Sequence, residues 1–356
     1  MILKVNGIII YGVLTFLLSL LLYPLYIRFL HYIKAGKTLR DDDVSGQKAN
    51  IFRSLHSHKA WTPTMWWGLF LIVVLIMVWL SFLLQYYWII NNNLFNRQET
   101  YILLFWFFSM WCLGLLDDIL NIKSYNSVKW LSALGKTIGM IFFAWFISYW
   151  FYYKLQVDRL LLWPGIWKIS IGLRFLPISF FATLFITHAI NITDWLDWLA
   201  GGMSSIILSI LAFITFINQT YIATTLIIII VAVLLAFLWF NINPAQVFMW
   251  DSGAFSIGGI LATLLWLLNM RIGILLPFFV IFSLFSFELI SSFLQIITKK
   301  IYKKKLFPIA PFHHLCEYYG MKEYTIVMRF WFVQWLLGII TLVIILYSLV
   351  GYDYIK

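Results

Sequence analysis

Apolar and polar positions alternate along the chain in blocks as long as whole helices. The apolar blocks lie near residues 8–30, 66–90, 101–116, 131–152, 175–190, 199–217, 221–240, 254–269, 272–297 and 330–350. A helix needs about 20 apolar residues to cross the hydrocarbon core of a bilayer, with a range of roughly 17–25. The pattern therefore predicts an all-α polytopic membrane protein with about ten transmembrane helices.

The composition excludes both a soluble and a disordered protein. Of 356 residues, 63% are hydrophobic and only 11% are charged, whereas a typical soluble domain has about 25% charged residues and disordered chains are polar. The longest polar segments, 31–65 and 298–329, are too short to form a separate domain. We expect one integral membrane domain over residues 1–356.

The charge of the chain gives its expected orientation. Lys and Arg number 25 against 14 Asp and Glu, a net charge of +11. In a soluble protein this excess would suggest nucleic acid, but retention of basic residues on the cytoplasmic side is the simpler explanation here. We expect a lipid bilayer and no nucleic acid as a partner. Most Lys and Arg lie in the odd-numbered loops, which places those loops in the cytoplasm and both termini outside.

Five acidic residues lie in the third, fifth and seventh loops, on the expected cytoplasmic side: Asp117, Asp118, Asp194, Asp197 and Asp251. The fifth and seventh loops contain no Lys or Arg, so these carboxylates would repel one another at the ends of membrane helices. A divalent cation such as Mg²⁺, which binds carboxylates together with phosphate oxygens, would relieve that repulsion. The alternative is that each is a solvated acid at a helix end.

Five short motifs follow one another along most of the chain. They are His56-x-x-Lys59-x-Trp61-Thr62-Pro63-Thr64-Met65-Trp66-Trp67, Gly114-Leu115-Leu116-Asp117-Asp118, Asn191-Ile192-Thr193-Asp194-Trp195-Leu196-Asp197-Trp198-Leu199-Ala200-Gly201-Gly202, Asn241-x-x-Pro244-Ala245-x-Val247-Phe248-Met249-Trp250-Asp251-x-Gly253, and Ala310-Pro311-Phe312-His313-His314-Leu315-x-Glu317 with Arg329-Phe330-Trp331. An Asp-Asp pair alone is a weak signal, but five motifs in order are a strong one.

In order and spacing these motifs resemble the phospho-N-acetylmuramoyl-pentapeptide-transferase family, one branch of the polyprenyl-phosphate N-acetylhexosamine-1-phosphate transferases. The resemblance implies a Mg²⁺-dependent enzyme of the bacterial plasma membrane with its active site facing the cytoplasm. It would transfer phospho-N-acetylmuramoyl-pentapeptide from UDP-N-acetylmuramoyl-pentapeptide to undecaprenyl phosphate, which yields lipid I and UMP. The family also suggests a homodimer.

The resemblance also implies roles for individual residues. Asp117, Asp118, Asp251 and His313 match catalytic positions, and Asp251 with Asp118 would bind the metal. The positions expected to bind nucleotide or substrate are Lys59, Thr62, Lys129, Lys136, Asn191, Asp194, Leu196, Asp197, Asn241, Phe248 and His314. The alternatives are a purely structural Phe248, lysines that serve orientation alone, and a solvated histidine pair.

An acidic residue lies inside the ninth predicted span. Glu288, Ser291 and Gln295 share one helix face by their spacing, and an acid within the membrane is a candidate functional residue. We interpret this polar stripe as helix packing beside a groove for the lipid substrate.

Seven positions at which the family motifs have glycine carry tryptophan: Trp61, Trp66, Trp67, Trp130, Trp195, Trp198 and Trp250. Glycine is needed where the backbone approaches a ligand closely or has a positive φ, and random drift would introduce several residue types rather than one. The codon UGA is read as glycine in some bacteria and as tryptophan in others. One hypothesis is that these codons specify glycine in the source organism. The alternative is that the tryptophans are real and the protein is a non-catalytic relative.

Two further classes of function compete with this interpretation. A sister enzyme that transfers N-acetylglucosamine-1-phosphate would share the aspartates, although the Thr-Pro-Thr-Met and Ala-Pro-x-His-His sequences argue against it. A transporter or channel would place acidic residues near the middle of the membrane and often has inverted repeats. Here the acids gather at helix ends and no repeat is visible in the sequence.

Overall fold

The computed structural model describes residues 2–33, 62–63, 67–87, 93–94, 98–123, 133–163 and 167–355. Within these residues, twelve α-helices and one β-hairpin follow in order: α1 (Ile2–Tyr32), α2 (Trp67–Tyr86), α3 (Gln98–Lys123), α4 (Ala133–Tyr149), β1 (Arg159–Trp163), β2 (Trp167–Ser170), α5 (Phe175–Thr193), α6 (Leu199–Ile217), α7 (Tyr221–Asn241), α8 (Trp250–Arg271), α9 (Leu275–Ile281), α10 (Ser283–Tyr302), α11 (Phe312–Tyr318) and α12 (Glu323–Ile355).

Within the described residues, nine of the ten apolar blocks each correspond to one helix, and the ninth block contains α9 and the greater part of α10. Eight helices in the described part of the chain are long and apolar enough to cross a membrane, or nine if the bent pair α9–α10 forms one span. Helix α4 covers the fourth block and has 17 residues, at the lower limit for a crossing. The all-α multi-pass class is confirmed, while ten crossings with both termini outside stay a prediction.

Helix α8 lies at the centre of the bundle, with 94% of its apolar window buried, and it packs against α3 and α5. Glycines allow these contacts. A Cβ atom on Gly114 would lie 2.2 Å from Cα of Ser252, and one on Gly258 would lie 2.7 Å from Cα of Thr187. Membrane helices often approach closely at small residues. The contact at Gly114 places the last turns of α3 beside the first turn of α8.

The ninth span is broken rather than continuous, with α9 and α10 at 70° to each other. A break in a membrane helix leaves carbonyl groups that need other donors. Gln334 of α12 supplies one, because its Nε2 donates to the carbonyl of Ile281 at 2.8 Å. The break is therefore fixed by a neighbouring helix.

The hairpin β1–β2 was not expected from the sequence. Its strands pair antiparallel, with Arg159 opposite Ser170, and the amide of Leu161 donates to Oδ1 of Asn269 at the end of α8. Strands of five and four residues are too short to produce a distinct hydropathy pattern. The hairpin does not change the fold class.

Replacing Gly114 by alanine should destabilise the contact between α3 and α8. The new Cβ would meet backbone atoms of Ser252, which cannot move aside as a flexible side chain can. We expect a loss of about 1–3 kcal/mol in the free energy of unfolding, as is usual for overpacking, measured as a lower midpoint of thermal unfolding in detergent. Gly7→Ala is the control, because a Cβ there meets nothing within 4 Å. Equal midpoints for the two variants would contradict this packing.

Candidate active site

Three aspartates from two helices form one cluster. Asp117 and Asp118 lie near the end of α3, and Asp251 lies in the first turn of α8. One carboxylate oxygen from each lies within 4.8 Å of the other two, and Asp117 and Asp118 are only 1% and 2% exposed. The close approach at Gly114 brings the two helix ends together. The sequence predicted all three residues, and the fold unites them.

Positive and polar groups from three other places balance this negative charge. Lys136 of α4 forms ion pairs with both Asp117 and Asp251. Asn191 of α5 donates from Nδ2 to Oδ1 of Asp251 at 2.6 Å. The amide of Ser252 donates to Oδ2 of Asp118 at 3.3 Å, where the amides at a helix N-terminus carry partial positive charge. Lys136 and Asn191, both predicted to bind substrate, thus also hold the carboxylates.

Among the described residues, Lys136 and Asp251 form the more exposed side of the cluster. The side chains of Lys136 and Asp251 are 16% and 14% exposed, whereas that of Asp117 is 1% exposed. A substrate that enters the cluster therefore meets Asp251 and Lys136 first. Carboxylate oxygens are hard ligands that suit Mg²⁺, so the three aspartates fit a divalent cation.

Asp194 lies beside the cluster, just after the end of α5. Burial raises the pKa of this carboxyl, and the negative charge of Asp251 raises it further, while a backbone hydrogen bond from Trp250 acts in the opposite direction. The predicted nucleotide-site acid is therefore close enough to Asp251 to interact with it electrostatically.

Asp197, also predicted to bind the nucleotide, forms hydrogen bonds within the protein. Its Oδ2 accepts hydrogen bonds from Nδ2 of Asn243 at 2.9 Å and from the amide of Ala245 at 3.3 Å. Its own amide donates to Oε1 of Glu323 at 2.7 Å, and its side chain is buried. In this structure Asp197 fixes the segment after α7 and is not part of the carboxylate cluster.

Asn241 has a similar bracing role. Its Oδ1 accepts from the amide of Trp198 and its Nδ2 donates to the carbonyl of Val247, both at 2.7 Å. The side chain thus connects the turn before α6 with the segment before α8. Leu196 in that turn, predicted to bind the nucleotide, has a buried side chain.

The first motif reaches the site through its Thr-Pro pair. The amide of Phe248 donates to the carbonyl of Pro63 at 3.0 Å, so Thr62 lies one residue from this backbone contact, and the side chain of Phe248 is half-buried. Other predicted residues lie outside the described part of the chain, namely Lys59 and Lys129 among the substrate positions, and Trp61, Trp66 and Trp130 among the tryptophans.

The two histidines begin α11, and buried acids hold both. Glu288 of α10 is fully buried; Oε2 accepts from the amide of Phe312 at 2.9 Å and Oε1 from that of His313 at 3.2 Å. Nδ1 of His313 also lies 3.1 Å from Oε2 of Glu288. Nδ1 of His314 is 2.6 Å from Oε2 of Glu317. Glu288 thus contacts both the backbone and the ring of His313.

This link between Glu288 and His313 was missed in the sequence, where Glu288 was interpreted as part of a packing stripe. The available signal was an acid inside a membrane span, but nothing local indicates its partner. Nε2 of His313 is buried and has no hydrogen-bond partner among the described residues. With Nδ1 held, Nε2 is the ring atom left for a ligand.

A multi-pass helical membrane protein with a half-open carboxylate cluster beside a lysine fits the class of integral membrane transferases that act on phosphorylated substrates. Residues 100–269 match the family model described as glycosyl transferase family 4. The phospho-N-acetylmuramoyl-pentapeptide-transferase of Geobacillus sp. (strain WCH70) is 30% identical over 320 residues, 90% of this chain and 92% of the relative.

Two further relatives have the same name. That of Borrelia hermsii is 32% identical over 346 residues, 92% of each chain, and that of Bacillus anthracis (strain A0248) is 29% identical over 337 residues, 94% of this chain and 97% of the relative. The chain belongs to the phospho-N-acetylmuramoyl-pentapeptide-transferase family.

Replacing Glu288 by glutamine should loosen the start of α11. The amide would direct an N–H₂ group at donors that now face a carboxylate. We expect a loss of roughly 1.5–3 kcal/mol in the free energy of unfolding, the usual contribution of a hydrogen bond to a charged group, measured by thermal unfolding in detergent. Asp158→Asn is the control, because Asp158 is exposed and pairs with its neighbour Arg159. Equal stability of the two variants would refute the anchoring role of Glu288.

Proposed function

We propose that this protein transfers phospho-N-acetylmuramoyl-pentapeptide from UDP-N-acetylmuramoyl-pentapeptide to undecaprenyl phosphate and releases UMP. Membership of the family over about 90% of the chain supports the substrate pair. The structural observation that carries the proposal is the carboxylate cluster of Asp117, Asp118 and Asp251 with Lys136 on its accessible side.

The proposed reaction exchanges one phosphorus–oxygen bond for another. An oxygen of the lipid phosphate attacks the β-phosphorus of the UDP-sugar, and the bond from that phosphorus to the oxygen of UMP breaks. Such transfers need positioning and charge neutralisation more than covalent help. The second pKa of a phosphate monoester is about 6, so the lipid phosphate is mostly dianionic at pH 7 and needs no strong base. A route through a phospho-aspartate stays open as an alternative.

The exposure of the cluster suggests how its members divide the work. Asp251 and Lys136, on the accessible side, would meet the diphosphate. The ammonium of Lys136 would balance phosphate charge as substrate enters. Asp117 and Asp118 lie deeper; Asp117 would orient the acceptor phosphate, and Asp118, which accepts from the amide of Ser252, would help to bind the metal.

We propose Mg²⁺ as the cation, with Asp251 and Asp118 as its protein ligands. When bound, the ion would supply charge neutralisation and in-line alignment of the phosphates. The fit rests on oxygen donors from three aspartates within 4.8 Å and on the preference of Mg²⁺ for a few carboxylates together with substrate phosphates.

The nucleotide would bind beside this cluster. Phe248 is half-buried and its amide donates to the carbonyl of Pro63; its ring would stack on uracil. Asp194 and the backbone at 195–196 would border the uridine. His313, through Nε2, and His314 would contact the diphosphate or the sugar.

We also propose that the site faces the cytoplasm of a bacterial cell, because most Lys and Arg lie in loops on that side of the predicted topology. A homodimer, suggested by the family resemblance, stays a prediction. A sister transferase for another sugar, or a non-catalytic relative, is the alternative that the assays below separate.

The purified chain should release UMP when given UDP-N-acetylmuramoyl-pentapeptide, undecaprenyl phosphate and Mg²⁺. Two versions are assayed in parallel, the sequence as printed and one with glycine at the seven tryptophan positions. UDP-N-acetylglucosamine serves as the competing donor in the same assay. Preference for that donor would move the assignment to the sister enzyme. Folded protein in both versions without UMP release from either donor would overturn the proposal.

Replacing Asp251 by asparagine in the active version should reduce the rate by at least about 100-fold, because the proposed cation that would neutralise charge on the phosphates loses a carboxylate ligand. Binding of Mn²⁺, followed by electron paramagnetic resonance as a stand-in for Mg²⁺, should weaken in parallel. Asp158→Asn is again the matched control and should retain both properties. Unchanged Mn²⁺ binding in Asp251→Asn would contradict the metal assignment even if activity fell.

A further inference from the structure

Two of the seven unusual tryptophans have a backbone conformation that favours glycine. Trp198 has φ 55° and ψ 2°, and Trp250 has φ 53°. In this left-handed region the Cβ atom of an L-residue crowds the following carbonyl oxygen, and bulky residues are rare there.

Few non-glycine residues in the described part of the chain have positive φ. Among the described residues, five non-glycine residues have positive φ: Gln156, Trp198, Gln219, Trp250 and Lys303. The two tryptophans are the aromatic members of this group, and both are among the seven tryptophans at positions where the family motifs have glycine. The large core tryptophans Trp106 and Trp266 lie within regular helices.

Backbone hydrogen bonds hold the turn at Trp198 in place. Its amide donates to Oδ1 of Asn241 at 2.7 Å, and its carbonyl accepts from the amide of Gly202 at 3.0 Å. These bonds use main-chain atoms that glycine also has. The indole adds a ring contact with Trp331 at 5.4 Å, but its Nε1 is buried with no hydrogen-bond partner among the described residues. The turn therefore requires the backbone of residue 198 but not its side chain.

The indoles also occupy the proposed nucleotide site. The ring of Trp250 lies 6.3 Å from that of Phe248, the proposed uracil platform. The ring of Trp195 is 44% exposed and lies 6.1 Å from that of His314. Glycine at 195 and 250 would leave this space to a substrate.

We infer that the functional protein carries glycine at residues 198 and 250, and by the same substitution pattern at 61, 66, 67, 130 and 195, because its UGA codons are read as glycine. At residues 198 and 250 the inference depends on the backbone conformation and not on the proposed function. The argument from space at 195 and 250 rests on the proposed function. Glycine removes the Cβ crowding at both turns and opens the approach to Asp251.

Peptide mass spectrometry of the protein isolated from its source organism tests the inference directly. We expect peptides with glycine at 195, 198 and 250, and with tryptophan at the control positions Trp106 and Trp266. The gene should have UGA at the first set and UGG at the second. Tryptophan in the peptides at 198 and 250 would overturn the inference, whatever the protein does.

The thermal stability of single variants tests whether the positive φ at residues 198 and 250 strains a tryptophan. Trp198→Gly and Trp250→Gly should raise the midpoint of thermal unfolding in detergent by roughly 2 °C or more, since backbone crowding is relieved. The matched control is Trp239→Gly, at an exposed position within α7, where glycine weakens a right-handed helix and should lower the midpoint. If all three substitutions lowered the midpoint equally, the strain argument would fail.

Activity separates this inference from the proposed function. UMP release by the seven-glycine version alone supports both. Glycine in the native peptides together with a stable seven-glycine protein that accepts no UDP-sugar would leave the inference standing and refute the proposed function. Equal UMP release by the two versions would refute the claim that the indoles block the site.

Discussion

Repulsion among three carboxylates at the ends of membrane helices is the constraint on which the site depends. Asp117, Asp118 and Asp251 place oxygens within 4.8 Å of one another, and charges with little access to water are costly unless they are paired. Lys136, Asn191 and the first amides of α8 come from three different places to compensate them. The packing of α3, α4, α5 and α8 therefore also brings together the groups that compensate these clustered carboxylates.

Buried polar groups need partners in the same way as buried charges. For this reason, polar side chains elsewhere in the bundle hydrogen-bond to irregular backbone segments. Gln334 satisfies the carbonyl at the break between α9 and α10, and Glu288 binds the first amides of α11 together with His313. Asn241 joins the turn at 198 to the segment before α8. Backbone that leaves the helical pattern in a membrane protein must find such partners. Gln334 thereby fixes the bend of the ninth span, and Glu288 and Asn241 hold segments that carry predicted site residues.

The tryptophans break the agreement between local sequence and global fold that natural proteins otherwise keep. The turns at 198 and 250 are set by tertiary hydrogen bonds and by the start of α6 and α8, and both have φ values that suit glycine. The equal numbers of Gly and Trp in the sequence thus correspond to a conflict at two defined backbone positions, one of which precedes Asp251.

By itself the sequence determined the all-α membrane class, the positions of the ten apolar blocks and the identity of the three clustered aspartates. A helix must be long enough to cross the bilayer, so each crossing appears in the sequence as a long apolar block. The ordered motifs identify the aspartates. Only the tertiary structure decided the hairpin at 159–170, the bend of the ninth span, the bracing roles of Asp197 and Asn241, and the pairing of Glu288 with His313. Lys136 and Asp251 are 115 residues apart, and Asp197 and Glu323 are 126 apart. Such pairs form only when helices pack, because hydrophobicity places each helix in the membrane but does not specify which charged and polar groups meet between helices.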